Sequence, residues 1–280
     1  ALSNDVFWCN SNDDTFLSDL LGVHRTLWAE SVPCEIVSPA MDWSAYKVVY
    51  LPHCAVLDET AVGRVRGVLE DIDGPNLIAD GYFGTFSGKG HWSYHPPEGL
   101  TDLVDIDVVD VDLITDKDIR EGRNVLKTDY GEFPVSHECP YTILAPKAGS
   151  RVIATLGDHV VGAQTAEAKL TWFGLSLSRA FGGAAPRELL MPLLASLACS
   201  APFAIEGDRL IALQRGSKLR DDLIFLLNVE QKTASSRIVP KRPMRSAHNL
   251  IDDRDLQVTD GAFEVEIPHG SVCVVHCTSA

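Results

Sequence analysis

The chain has 280 residues, 45% of them hydrophobic and 22% charged, which is enough apolar material for a real core and too much for a disordered chain. At roughly 150 residues per domain, this length predicts two domains. The 39 acidic side chains outnumber the 24 basic ones and leave a formal charge of -15, which repels phosphate backbones and anionic headgroups. Neither nucleic acid nor a membrane surface is therefore an expected partner.

Val6 to Cys9 reads as a first strand. Asp13 or Asp14 caps a following helix, in which Phe16, Leu17, Leu20, Leu21, Leu27 and Trp28 recur along one face. Glu35 to Val37 and Lys47 to Leu51 read as two further strands, the second almost continuously apolar, as where both faces are covered. Asp58 caps a second helix carrying Val62, Val65, Val68 and Leu69. Gly74 and Pro75 end it, and Asn76 to Ala79 returns as a fourth strand. Short apolar runs alternating with helical periodicity predict a parallel sheet with crossover helices, an α/β, flavodoxin-like, three-layer domain.

After Gly81 the segment Tyr82 to Gly99 is rich in glycine and aromatic residues and too long for an ordinary connection; such loops usually carry function. From Val104 to Ala163 the pattern is strand and turn, with Gly131, Gly149 and Gly157-Asp158 as turn signals. Asp105, Asp107, Asp110 and Asp112 alternate with Ile106, Val108, Val109 and Val111. That spacing predicts the solvated face of a half-buried strand with a bulge at Val108 and Val109, in preference to a cation site. Leu170 to Leu175 reads as a late strand and Pro186 to Cys199 as a closing helix.

Beyond Pro202 the β-rich runs Arg209 to Gln214, Leu223 to Val229, Phe263 to Ile267 and Val272 to Cys277 predict a small all-β sandwich. The predicted domains are 1–204 and 205–280. The apolar stretch Leu189 to Ile205 is broken by Pro192, Ser196, Ser200 and Pro202, so it is no bilayer span. The chain opens a few residues ahead of a strand, which predicts sequence upstream of Ala1. Seven cysteines, an odd number without a CxxC pair and mostly inside apolar runs, predict reduced thiols and a cytoplasmic protein.

The corner Ala79-Asp80-Gly81-Tyr82-Phe83 lacks the cysteine or serine of a nucleophile elbow, and no GxGxxG or P-loop follows a strand. No cofactor and no metal are expected. His53 with Cys54 would point to opposite faces of a strand, glycines and Pro96 oppose a helix joining His91 to His95, and His137 with Cys139 lacks the spacing of zinc sites. Cys273 and Cys277 would stand about 13 Å apart on a strand, as core residues. The loop residues His91, Trp92 and Tyr94 offer aromatic and polar surface for a sugar or a partner.

The runs Pro33 to Pro39, Tyr46 to Pro52 and Asn76 to Phe83 resemble the trimerisation domain of family 42 glycoside hydrolases, the bacterial β-galactosidases. So do Leu100 to Ile106, Arg151 to Thr155 and Lys169 to Gly174, while Phe225 to Asn228 and Asp260 to Val272 resemble that family's C-terminal β-domain. The resemblance implies a class I glutamine-amidotransferase-like fold, here without its nucleophile. It also implies that catalysis belongs to two glutamates on a (β/α)8 barrel that precedes this region, on this chain or on a partner. Such a barrel takes about 250 residues and holds its carboxyls about 5 to 5.5 Å apart. The stretch 1–204 offers about four βα-like units rather than eight. No catalytic residue is expected here. A homo-oligomer, a trimer by that resemblance, is implied, with Phe83, Phe86, His91, Trp92 and Tyr94 walling a neighbouring subunit's galactoside-type site. The alternatives are a stand-alone amidotransferase-fold hydrolase using Cys54 or Cys139 with His53 or His137, and a separate carbohydrate-binding or scaffold subunit.

Overall fold

The computed structural model describes residues 15–86, 99–216 and 221–279. It divides into two compact units, one of residues Ala1–Thr26 with Ile36–Cys199, the other of Leu27–Glu35 with Ser200–Ala280. The predicted strand Val6 to Cys9 lies outside the described residues.

The helix α1 (Thr15–Ala29) belongs to the first unit through Thr26, and in that unit β1 (Val48–Leu51), α2 (Glu59–Glu70) and β2 (Asn76–Asp80) follow. Then come β3 (Ile106–Ile114), α3 (Asp116–Arg120), β4 (Val125–Thr128), β5 (Gly131–Pro134), β6 (Cys139–Pro146), β7 (Arg151–Leu156), β8 (His159–Gln164), β9 (Leu170–Phe173) and α4 (Arg187–Ser196). Seven strands form a mixed sheet in the order β1-β2-β9-β8-β7-β4-β5, and β3 pairs with β6 in a second, two-stranded sheet. Only the β1–β2 and β2–β9 pairs are parallel; the others are antiparallel.

The parallel strands with a crossover helix expected in the first eighty residues are present as β1, α2 and β2, with β9 parallel beside them, while the rest of the sheet is antiparallel. The glycine turns read from the sequence close antiparallel hairpins, as at Gly157 with φ +58 between β7 and β8, so no crossover helix is needed there. Among the described residues four helices accompany eighteen strands, and the protein is a mixed, sheet-dominated structure. The strand expected at Glu35 to Val37 is absent. Pro33 and Pro39 flank it and lack backbone donors, and Ile36 is exposed while Val37 alone packs on the first core.

Local rules account for much of the rest. Asp58 caps α2 by accepting the Ala61 N–H at 2.8 Å, and α2 buries Ala61, Val65, Val68 and Leu69. The register of β3 against β6 shifts between Val108 and Asp110, the predicted bulge, and it leaves Val109 outward with Asp110. The first core gathers Val49, Leu51, Val65, Leu77, Phe83, Ile106, Leu170 and Trp172.

The second unit contains β10 (Phe203–Gly207), β11 (Ile211–Gly216), β12 (Asp221–Leu227), β13 (Ala234–Pro240), β14 (Met244–Asn249), β15 (Arg254–Leu256), β16 (Val258–Thr259), β17 (Ala262–Ile267) and β18 (Val272–Ser279). They form two antiparallel sheets, β10-β13-β17-β16 and β11-β12-β18-β14-β15. Inward residues of both, including Ile238 and Phe263 from one and Ile224, Leu226, Val275 and Cys277 from the other, make a single core. Cys273 and Cys277 lie two strand repeats apart and both face that core, as their spacing predicts. Buried Asn228 donates to the carbonyls of Ile267 and Lys232 and so ties the β12 end to the facing sheet.

Candidate functional site

In open parallel sheets, ligands and catalytic groups gather beyond the carboxyl ends of the strands. Three connections leave the parallel strands there: 52–57 after β1, 81–86 after β2 and 174–178 after β9. Backbone bonds stitch the first two, with Gly84 N–H donating to Cys54 O at 2.8 Å and Phe86 N–H to Ala55 O at 3.0 Å. Trp172 on β9 donates through Nε1 to Gly81 O at 3.2 Å.

Asp80, the last residue of β2, is the hub. Its fully buried carboxylate accepts the Tyr50 hydroxyl at 2.9 Å, the His53 N–H at 2.8 Å and the Leu177 N–H at 2.9 Å, one donor from each region around it. Burial pushes its pKa up to about 6 although these donors favour the ionised form. The same burial, with the Asp80 charge nearby, pushes Tyr50 well above its ordinary value. This carboxylate has no opening to a substrate; it clamps three chain segments together.

His53 occupies a left-handed backbone position, φ +44, and is 3% exposed. Its Nδ1 lies 3.4 Å from Asp19 Oδ2, and its Nε2 has no hydrogen-bond partner among the described residues. Burial, aided by the Arg179 charge, pushes its pKa down to about 4, so the ring is neutral. Gly81, at φ +61, is required here, because a Cβ on it would stand 2.6 Å from His53 Nδ1.

The predicted nucleophile candidates are inert in this setting. Burial pushes Cys54 and Cys139 up to about 12, and a thiol rather than a thiolate does not attack. The Cys54 thiol instead donates to Pro52 O at 3.6 Å. His137 is exposed while Cys139 is buried, so they do not share an environment. Among the described residues no group of three His, Cys, Asp or Glu side chains is placed to hold a metal ion.

Of the five residues predicted to wall a sugar site, Phe83 is a core residue. It is 0% exposed, edge-on to Trp172 with ring centroids 5.5 Å apart, and has no surface to offer. Phe86 is half-buried and meets Tyr82 edge-on at 6.2 Å. His91, Trp92 and Tyr94 lie outside the described residues. Sequence reasoning noted Asp80 only as the residue standing where a nucleophile would be. The donors Tyr50, His53 and Leu177 left no signal, since the latter two bond through backbone N–H groups.

The chain was compared with known proteins. No protein-family model matches it, and no curated protein matches it. Solved structures do. A GH42 β-galactosidase from G. stearothermophilus superposes with a TM-score of 0.74 at 14% identity, over 95% of this chain and 37% of that one. The β-galactosidase from Rahnella sp. R3 gives 0.70 at 14% identity, over 95% and 37%. The α-L-fucosidase isoenzyme 2 from Paenibacillus thiaminolyticus gives 0.66 at 11% identity, over 94% and 45%. At these identities the likeness is one of fold: the chain has the fold of a region of GH42 β-galactosidases and spans about a third of their length.

Proposed function

We propose that this chain is the non-catalytic C-terminal portion of a β-galactosidase-like glycoside hydrolase. In this reading the first unit is a class I glutamine-amidotransferase-like fold that has lost its nucleophile and mediates oligomerisation as a trimer. Its aromatic loop helps wall a galactoside-type site on a neighbouring subunit. The observation that carries the reading is the superposition of 95% of the chain on 37% of a GH42 β-galactosidase. Nearly all of this chain has a counterpart there, while most of that enzyme has none here.

The site chemistry supports a non-catalytic role. Retaining glycoside hydrolysis needs two accessible carboxyls about 5 to 5.5 Å apart, and the carboxylate at the strand ends, Asp80, is sealed by three donors. The fucosidase shares the fold with the galactosidases, so the fold does not select the sugar. Phe86, His91, Trp92 and Tyr94 remain the wall in this reading; Phe83 is a core residue and is not part of it.

The test uses the longer protein that carries this region together with a barrel. There Trp92→Ala raises KM for a nitrophenyl galactoside about tenfold with kcat little changed, the mark of lost uniform binding. Unchanged kinetics would remove the wall from the proposal.

A further inference from the structure

We propose that copies of this chain meet through a knob and a groove on the first unit, Ile72 of one copy seating on the α2 groove of the next; the contact rests on the assembly role proposed above. The knob is the turn between α2 and β2. Ile72 is 79% exposed, more than any other large apolar side chain among the described residues. Its turn is held rigid. Asp73 N–H donates to Asp71 Oδ1 and Gly74 N–H to Asp71 O, each at 3.1 Å, while buried Lys169 donates through Nζ to Gly74 O at 2.9 Å and to Ile72 O at 3.4 Å. A turn fixed before contact loses little entropy on binding.

The groove lies beside the knob. A volume of about 540 Å³ opens between α2 and the connection before β1, lined by Pro39, Trp43, Gly63, Arg64, Gly67 and Val68 among others. Gly63 and Gly67 are exposed and stand one helical turn apart, and a Cβ on either would meet nothing within 4 Å. Glycine weakens a helix interior relative to alanine, and no described atom of the chain crowds either position enough to require it. An incoming side chain gives both glycines a use, because the missing Cβ atoms leave bare helix backbone for it to approach closely.

The groups left unspent select a second copy as the occupant. Asp42 and Asp71 also line the groove, but Asp42 accepts the N–H and the hydroxyl of Ser44 and Asp71 holds its own turn. Arg64 donates through Nε to Pro39 O at 3.1 Å, and its two Nη groups make no hydrogen bond or ion pair among the described residues. The carboxylate of Asp73, next to Ile72, makes none either. A second copy supplies both complements at once, Ile72 over Gly63 and Gly67 and Asp73 onto Arg64, and the charge pair fixes the register. Asp71 belongs to the knob's turn and to the groove's rim, so knob and groove are neighbours on every copy, and three copies pass the contact round a three-fold axis.

Sedimentation velocity of this chain over a range of micromolar concentrations tests the contact. Ile72→Asp and Gly67→Leu are each expected to raise the concentration of half-assembly about tenfold or more. Gly67→Leu at the same time keeps or raises Tm, since it improves the helix and meets no clash, which separates a blocked groove from a damaged fold. Arg64→Asp and Asp73→Arg each weaken assembly, and the double variant regains most of it. A parent chain that stays monomeric removes the assembly role and this contact together. An assembled parent in which Ile72→Asp or Gly67→Leu assembles equally well, or in which the double charge variant shows no recovery, overturns this contact alone.

Discussion

Asp80 and His53 sit side by side with opposite pH dependences. Asp80 titrates near 6 in the fold against 3.8 unfolded, so the stability tied to its protonated form is present below about 4 and is lost as pH rises through 6. His53 titrates near 4 in the fold against 6.5 unfolded, so the stability tied to its neutral form is present above about 6.5 and is lost as pH falls through 4. Each spans a little over two pKa units, roughly 3 kcal/mol, and the two nearly cancel between pH 4 and 6.5. Removing either one unmasks the other. Asp80→Asn loses stability as pH falls from about 6.5 to 4, and His53→Asn, which tolerates the left-handed backbone, gains stability over the same window. Urea titrations at several pH values read both slopes, and two variants with parallel pH profiles would refute the assignment. Asp80 was visible in the sequence as a residue replacing a nucleophile. Its role as a clamp was not, because a backbone N–H donor such as that of Leu177 is the same in every non-proline residue.

At the scale of elements, α1 shows the limit of periodicity. The apolar positions predict a face through Phe16, Leu17 and Leu20, yet Leu17 is 50% exposed and the helix buries Asp19, Gly22, Val23 and Thr26. The polar members of that stripe are held by tertiary partners: Thr26 donates to Ala185 O at 3.0 Å, and Asp19 faces His53. Hydrophobic pattern ranks side chains by their cost in an apolar core and so misses polar groups whose partners come from distant chain. The β6–β9 contact rests on a small residue. Gly174 accepts the Thr142 N–H at 2.7 Å and donates to Val161 O at 2.7 Å, and a Cβ on it would lie 2.2 Å from Thr142 O. Gly174→Ala pushes two backbones apart and costs about 3 kcal/mol, read as a lower urea midpoint at unchanged slope. Because Gly174 also sets the path to Leu177, the variant weakens the Asp80 clamp.

At the scale of the whole molecule, a formal charge of -15 on 280 residues means that copies repel one another at low salt, so an oligomer must bury enough apolar surface to overcome it. A standard interface buries about 800 Å² per partner. The trimer proposed above predicts three times the monomer mass in light scattering at micromolar concentration, more firmly at physiological salt than at low salt. A monomer at both would refute the assembly role. No helix among the described residues is long and apolar enough to cross a membrane.

Local chemistry was legible in the sequence because its causes lie within a few residues. The Asp58 cap, the bulge beside Val109, the hairpin turn at Gly157 and the inward cysteines of β18 all follow from neighbours along the chain. The β-rich runs beyond Pro202 likewise became strands close to where alternation puts them. What only the tertiary structure decided are pairings between distant segments. These include β2 beside β9 across some ninety residues, the joining of the parallel strands and the antiparallel hairpins in one mixed sheet, Phe83 in the core rather than on a wall, and Asp80 bound to Leu177. Such pairings depend on which surfaces exclude water together and which buried polar groups find partners, and neither quantity is a property of a local window of sequence.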